Sequence, residues 1–214
     1  MPAQPPKLPD GEVHLWLWDH EIAAGAAAGA IANGRLKTLL AAYLDIDPAQ
    51  LPLHRTAHGK PFLHGISALH FNLSHSGACT AIAVSRDVEP GVDVELPRRQ
   101  RSLLPLAQRY FAEAEVAVLQ ALPEPVRTAA FYALWTCKEA VLKAQGRGIA
   151  FGLHRLSFDL QPVDGAVLRL AHIDAEAGTA EQWQICRFSP AAEAFGALAW
   201  RGAALPIRGF RGIV

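Results

Sequence analysis

The sequence predicts an α+β fold, with helices packed beside small, mostly antiparallel sheets. Three observations predict it. Short runs of alternating apolar and polar residues occur before Glu95 and again after Leu156, which is the period of a half-buried strand. Between them, from Leu104 to Gln145, apolar residues recur at helical spacing. Hydrophobic residues make up 51% of the 214-residue chain and charged ones 19%, ample material for a folded core.

Val13 to Trp18 reads as the first strand, followed by an alanine-rich stretch interrupted by Gly25 and Gly29. Asn33-Gly34 predicts the end of that stretch. From Arg35, the residues Leu36, Leu39, Leu40 and Tyr43 mark an amphipathic helix that stops near Asp47-Pro48. Strands then dominate to Glu95. A turn at Ser76-Gly77 leads into a return strand from Thr80 to Ser85, with Val92 to Glu95 expected as its neighbour. Helices follow over Leu104 to Phe111, Glu113 to Leu122 and, after Pro123 and Pro125, Arg127 to Gln145. Gly146 and Gly148 should stop the last one, because glycine accepts the left-handed backbone of a helix C-terminus. Strands return at Leu156 to Leu160, Val167 to Ile173, Trp183 to Phe188 and Phe195 to Trp200, and no internal repeat is visible in the letters.

Twenty basic residues balance twenty acidic ones, which argues against the broad positive field of a nucleic-acid binder. Cys79, Cys137 and Cys186 lie far apart, forming neither a paired disulfide framework nor a zinc cluster, as suits a reducing compartment. The proline-rich start has no apolar signal region, and no segment reaches the length of a membrane span. A cytoplasmic protein without a membrane partner is expected.

The chemistry concentrates in two runs. Gly91-Val92-Asp93-Val94-Glu95 puts two carboxylates on one face of an otherwise apolar strand. Trp135-Thr136-Cys137-Lys138-Glu139-Ala140-Val141-Leu142-Lys143 puts Glu139 and Lys143 one helical turn apart. Alone, the first could cap a strand end and the second could be a surface ion pair. Brought together, three carboxylates and a lysine make a magnesium site able to hold a diphosphate, since that small hard ion takes oxygen ligands. Upstream stand Phe71-Asn72-Leu73-Ser74-His75-Ser76-Gly77 and Arg55-Thr56-Ala57-His58-Gly59-Lys60-Pro61. The latter is not a Walker A loop, because Pro61 stands where Ser or Thr is required.

In this order the four runs resemble the signature of the 4′-phosphopantetheinyl transferases: R-x(4)-G-K-P, F-N-x-S-H-S-G, G-[IV]-D-[IV]-E and W-x-x-K-E-[AS]-x-x-K. The matching blocks span about Arg55 to Gly148. The resemblance implies transfer of the 4′-phosphopantetheine arm of coenzyme A to a serine of an acyl or peptidyl carrier protein, releasing adenosine 3′,5′-bisphosphate. It implies Mg²⁺, or Mn²⁺, on Asp93, Glu95 and Glu139. Lys143 would meet the leaving phosphate, and Glu139, a metal-bound hydroxide or Glu115 would take the serine proton. Arg55, Lys60 and Pro61 would hold the nucleotide end of coenzyme A, with Ser74, His75 and Lys138 on phosphate or pantetheine oxygens. Arg35 or Lys37 could add to these, and Trp135 reads as a packing residue.

The resemblance further implies two similar α+β halves, 1–96 and 97–214, with the site between them. The short members of the family are about half this size and trimeric, so a monomer is expected. Arg98, Arg99 and Arg101 could dock an acidic carrier protein. Two other readings remain open on the residues: a Mg²⁺-dependent pyrophosphohydrolase acting on coenzyme A or a nucleotide, and a non-catalytic carrier-binding scaffold. The tail from Arg201 to Val214 has no sequence explanation.

Overall fold

A computed structural model describes residues 5–19, 26–66, 68–97, 102–146, 152–160 and 168–212. In chain order its elements are β1 (Val13–Asp19), α1 (Ala26–Leu44), β2 (Leu53–Arg55), β3 (Pro61–Leu63), β4 (His70–Ser76), β5 (Cys79–Ser85) and β6 (Gly91–Glu95). They continue with α2 (Leu103–Tyr110), α3 (Glu113–Ala121), α4 (Val126–Gln145), β7 (Leu156–Leu160), β8 (Leu168–Ile173), β9 (Trp183–Phe188), β10 (Phe195–Arg201) and β11 (Ile207–Arg211). The chain is therefore α+β with small sheets, as the runs of strand and helix periodicity predict. The basic run Arg98, Arg99 and Arg101, the helix-stop Gly148 and the interrupting Gly25 lie outside the described residues.

Two sheets form the centre, one in the order β11-β1-β5-β4 and the other β6-β10-β9. Strand periodicity explains how they stack. On β4 and β5, Phe71, Ile82 and Val84 face Leu36, Leu39 and Leu40 of α1. On the opposite face, Ala81 and Ala83 of β5 join Val13 and Leu15 of β1 against Val92, Val94, Leu198 and Trp200 of the second sheet. The far side of that second sheet carries Ala197 and Ala199, which pack against α4. Helix, sheet, sheet and helix thus stack in four layers. Each fully buried leucine such as Leu36 or Leu40 contributes about 1.5–3 kcal/mol to holding them.

The structure departs from the sequence reading in three places. Asn33-Gly34 does not end a helix, because α1 runs unbroken from Ala26 to Leu44. Asn33 turns its amide inward and donates to the carbonyl of Gly29 at 2.7 Å, so it does not cap a break. Ala32 and Leu36 on either side are fully buried, and that packing outweighs the turn preference of the dipeptide.

The second departure concerns Val92 to Glu95, which pair not with the return strand but antiparallel with β10, Asp93 opposite Ala197. Strand β6 runs beside β4 at the edge of the first sheet and packs Val92 and Val94 with Ala81 and Ala83 of β5. Third, the tail forms β11, parallel to β1 with Val13 opposite Ile207. Phe210 stacks on Trp16 and meets His14 edge-on, and Arg211 bonds Asp19 at 2.7 Å. Sheet membership therefore crosses residue 96 twice, once at β6 and once at β11.

Candidate functional site

Position 91 explains how an acidic strand comes to lie against α4. A Cβ there would collide with the carbonyl of Ala140 and the amide of Ala144, so only glycine lets the strand approach the helix backbone this closely. Alternation then turns Asp93 toward the same helix while Val92 and Val94 enter the core between the sheets. On α4, Glu139 and Lys143 lie one turn apart and face the strand. Helix α4 ends at Gly146 in the left-handed conformation, φ 73°, as the glycine predicts.

The structure brings Asp93, Glu139 and Lys143 to one place. Lys143 Nζ lies 2.6 Å from Asp93 Oδ1 and donates to Ser74 Oγ at 2.9 Å. Ser74 Oγ in turn donates to Asp93 Oδ1 at 2.9 Å, and Ser76 Oγ donates to Glu95 Oε2 at 2.8 Å. Asp93 and Glu139 are 4% and 6% exposed, and Asp93 Oδ2 and Glu139 Oε1 are buried without a hydrogen-bond partner. Burial, with the nearby Asp93 carboxylate next in weight, pushes Glu139 up to about 7; Lys143 opposes and Glu95 adds to the shift. As they stand, no group of three or more His, Cys, Asp or Glu side chains among the described residues is arranged to hold a metal ion.

The donor set nevertheless suits a divalent cation. Buried carboxylate oxygens without donors are costly unless something positive meets them. Asp93 Oδ2 and Glu139 Oε1 are two such oxygens, and Glu95 follows Asp93 on the same face of β6. Hard oxygen ligands that leave room for substrate phosphates are what Mg²⁺ takes.

Next to this cluster opens a cleft of about 310 Å³ lined by Asn33, Arg55, His58, Gly59, Lys60, Pro61, Asn72, Leu73, His75, Lys143 and Gly146. The hairpin of β2 and β3 supplies Arg55, Lys60 and Pro61, and the end of β4 supplies the exposed His75. Arg55 donates to the carbonyl of Gly59 at 2.8 Å, which shapes the loop. Lys60 Nζ meets Glu89 at 2.8 Å and caps the carbonyl of Ala144 at 3.1 Å, tying that hairpin to the end of α4. Cationic side chains from the hairpin and from α4 thus face one cavity, an arrangement suited to a polyphosphate.

Three expected site residues take other roles. Lys138 is fully buried, and its three N–H donors are used by Glu115 Oε2 at 2.7 Å and the carbonyls of Leu153 and Leu156 at 2.9 and 2.5 Å. It has no donor left for coenzyme A. Glu115 accepts from Lys138 and Ala112 through Oε2 and from the Phe158 amide through Oε1 at 2.8 Å, so both oxygens are occupied in the core. A base for the serine proton needs a free oxygen at the cleft, which Glu115 does not have. Ser74 sits in strand β4 and not in a turn, and its hydroxyl is committed to Asp93, Lys143 and the Val94 amide. It orients the carboxylate and leaves nothing to offer a phosphate.

The reverse also holds. Asn33 and His58 line the cleft without having been named as site residues, and only the fold reveals them, since Asn33 read as a helix end and His58 falls on an undefined position of the run from Arg55 to Pro61. Asn72 and Ser76 could have been found, because they stand two residues either side of Ser74 and share its face of the strand.

Comparisons of the sequence with known proteins give the family. Residues 89–197 match the 4′-phosphopantetheinyl transferase superfamily, and residues 28–87 match the family's N-terminal domain, described as 4′-phosphopantetheinyl transferase, N-terminal. The chain belongs to the 4′-phosphopantetheinyl transferase superfamily. It is 38% identical over 142 residues to the 4′-phosphopantetheinyl transferase HetI of Nostoc sp., covering 65% of this chain and 60% of that one. It is 30% identical over 133 residues to the 4′-phosphopantetheinyl transferase Sfp of Bacillus subtilis, covering 62% and 57%. Against the human L-aminoadipate-semialdehyde dehydrogenase-phosphopantetheinyl transferase it is 30% identical over 172 residues, covering 73% and 56%. The chain thus spans less than two thirds of the length of each of these relatives. No helix among the described residues is long and apolar enough to cross a membrane.

Proposed function

We propose that this chain transfers the 4′-phosphopantetheine group of coenzyme A to a serine hydroxyl of an acyl or peptidyl carrier protein and releases adenosine 3′,5′-bisphosphate. The observation that carries the reading is the meeting of unpartnered buried carboxylate oxygens on Asp93 and Glu139 with Lys143, beside a cationic cleft, in a member of this superfamily. Asp93, Glu95 and Glu139 would hold Mg²⁺ or Mn²⁺. When bound, the ion supplies positive charge for the phosphate oxygens on which charge accumulates during phosphoryl transfer.

The chain's own residues do the rest. Arg55, Lys60 and His75 offer donors to the phosphates of coenzyme A, and Pro61 holds the hairpin in shape beside them. The serine oxygen attacks the β-phosphorus, and the bond from that phosphorus to the bridging oxygen breaks as adenosine 3′,5′-bisphosphate leaves. Lys143 offers its ammonium to the leaving phosphate. Glu139 would receive the serine proton on the carboxylate oxygen other than Oε1, the one offered to the cation. A monomer in the cytoplasm, with halves 1–96 and 97–214 flanking one cleft, is part of the same reading.

The test mixes purified protein, an apo carrier protein, coenzyme A and Mg²⁺ and weighs the carrier intact. A gain of one phosphopantetheinyl group, lost on adding EDTA, is the expected result. Coenzyme A split at the diphosphate with no carrier present would point to a pyrophosphohydrolase, and an unmodified carrier that still binds would point to a scaffold.

A further inference from the structure

We infer that Ser76, a residue outside the cleft lining, is a positioning residue: it is the last rung of a side-chain ladder from β4 that closes the open edge of β6 and aims its carboxylates. The inference rests on the proposed role of Asp93 and Glu95 as metal ligands. Strand β6 is the edge of its sheet, and β4 is the edge of the other. No backbone ladder joins them. The amides of Val92, Val94 and Leu96 instead donate to Asn72 Oδ1 at 2.9 Å, Ser74 Oγ at 3.3 Å and Ser76 Oγ at 3.2 Å. Donor and acceptor advance together by two residues, so the two strands run in the same direction at a constant offset of 20 positions.

The choice of side chain at each rung follows what β6 presents. A backbone carbonyl from a true neighbouring strand could accept from these amides but could donate nothing back. A serine hydroxyl does both. Ser74 accepts from the Val94 amide and donates to Asp93, and Ser76 accepts from the Leu96 amide and donates to Glu95 at 2.8 Å. Each oxygen therefore locks a carboxylate to the amide of the residue that follows it. At the third rung the preceding residue is Gly91, which has no carboxylate to orient, and there an acceptor suffices: Asn72. Hydroxyl where a carboxylate must be aimed and amide where none exists is a pattern that a mere joint between two sheets does not require.

The experiment compares wild type, Ser76→Ala and Ser76→Thr by three readouts: Mn²⁺ binding followed by electron paramagnetic resonance, hydrogen exchange at residues 92–96, and KM for coenzyme A. Removing a hydrogen bond that orients a metal ligand lowers affinity by roughly 10- to 100-fold. Ser76→Ala is expected to weaken Mn²⁺ binding by about tenfold, to speed exchange at Leu96, and to leave the KM for coenzyme A at saturating metal close to wild type. Ser76→Thr, which keeps the hydroxyl, should restore both metal binding and protection. If Ser76→Ala folds poorly, Ser76→Cys keeps the volume with a weak donor and serves in its place. Faster exchange with unchanged Mn²⁺ affinity would reduce the ladder to a joint and overturn the inference while leaving the proposed function standing. A wild-type protein that binds no Mn²⁺ would overturn both.

Discussion

Glu139 and Lys138 are neighbours in sequence and opposites in role, because successive residues on a helix point about 100° apart. Glu139 faces the strand with an unpartnered oxygen, while Lys138 spends all three donors inside the core on Glu115 and two carbonyls. Truncating one partner of such a buried pair strands the other charge and costs about 3–5 kcal/mol. Glu115→Ala and Lys138→Ala are therefore expected to lower stability by that amount in urea melts, while the folded fraction keeps turnover within a few-fold of wild type. A loss of turnover at unchanged stability would return Glu115 to chemistry. The converse is expected at the cleft, where Asp93→Ala and Glu139→Ala should each lower carrier modification by at least about 10²-fold, the scale for removing a preorganised electrostatic group. Near wild-type rates in both would require a different site.

Among the elements, the contact between β6 and α4 decides whether the carboxylates meet. The strand reaches the helix backbone at Gly91, where any Cβ would strike Ala140 and Ala144. Backbone cannot swing aside as a side-chain tip can. Gly91→Ala is thus expected to push the strand outward, to destabilise by about 1–3 kcal/mol as overpacking does, and to cut turnover beyond what the stability loss explains. Full activity in that variant would mean that the strand and helix need not be so close. The same pair shows where sequence reading stopped. The alternation of Asp93 and Glu95 was legible, and so was the helical turn between Glu139 and Lys143, since both are local periods. That β6 pairs with β10 was not, because a five-residue apolar strand fits several neighbours equally well.

For the whole molecule, four stacked layers bury an acidic cluster that water would otherwise solvate. Burial and Asp93 hold Glu139 near 7, above its ordinary 4.5, in the metal-free protein. A carboxyl raised on folding stabilises fully below its unfolded value and loses that contribution as pH rises through its folded value. Between pH 4.5 and 7 the metal-free protein should therefore lose on the order of 3 kcal/mol through this group. Urea melts in EDTA at pH 5 and pH 8 should show a larger drop for wild type than for Glu139→Gln, and equal drops would mean that Glu139 is not held neutral. The sequence by itself determined the α+β class, the end of α4 at Gly146, and the residue types of the site, because these follow from periods and backbone preferences that reach only a few residues. Only the tertiary structure decided that α1 runs through Asn33-Gly34, that the tail returns as β11, that Lys138 and Glu115 pair in the core, and that Ser74 bonds Asp93 and Lys143. Those outcomes depend on which distant groups satisfy a buried polar atom, and distance along the chain carries no record of that.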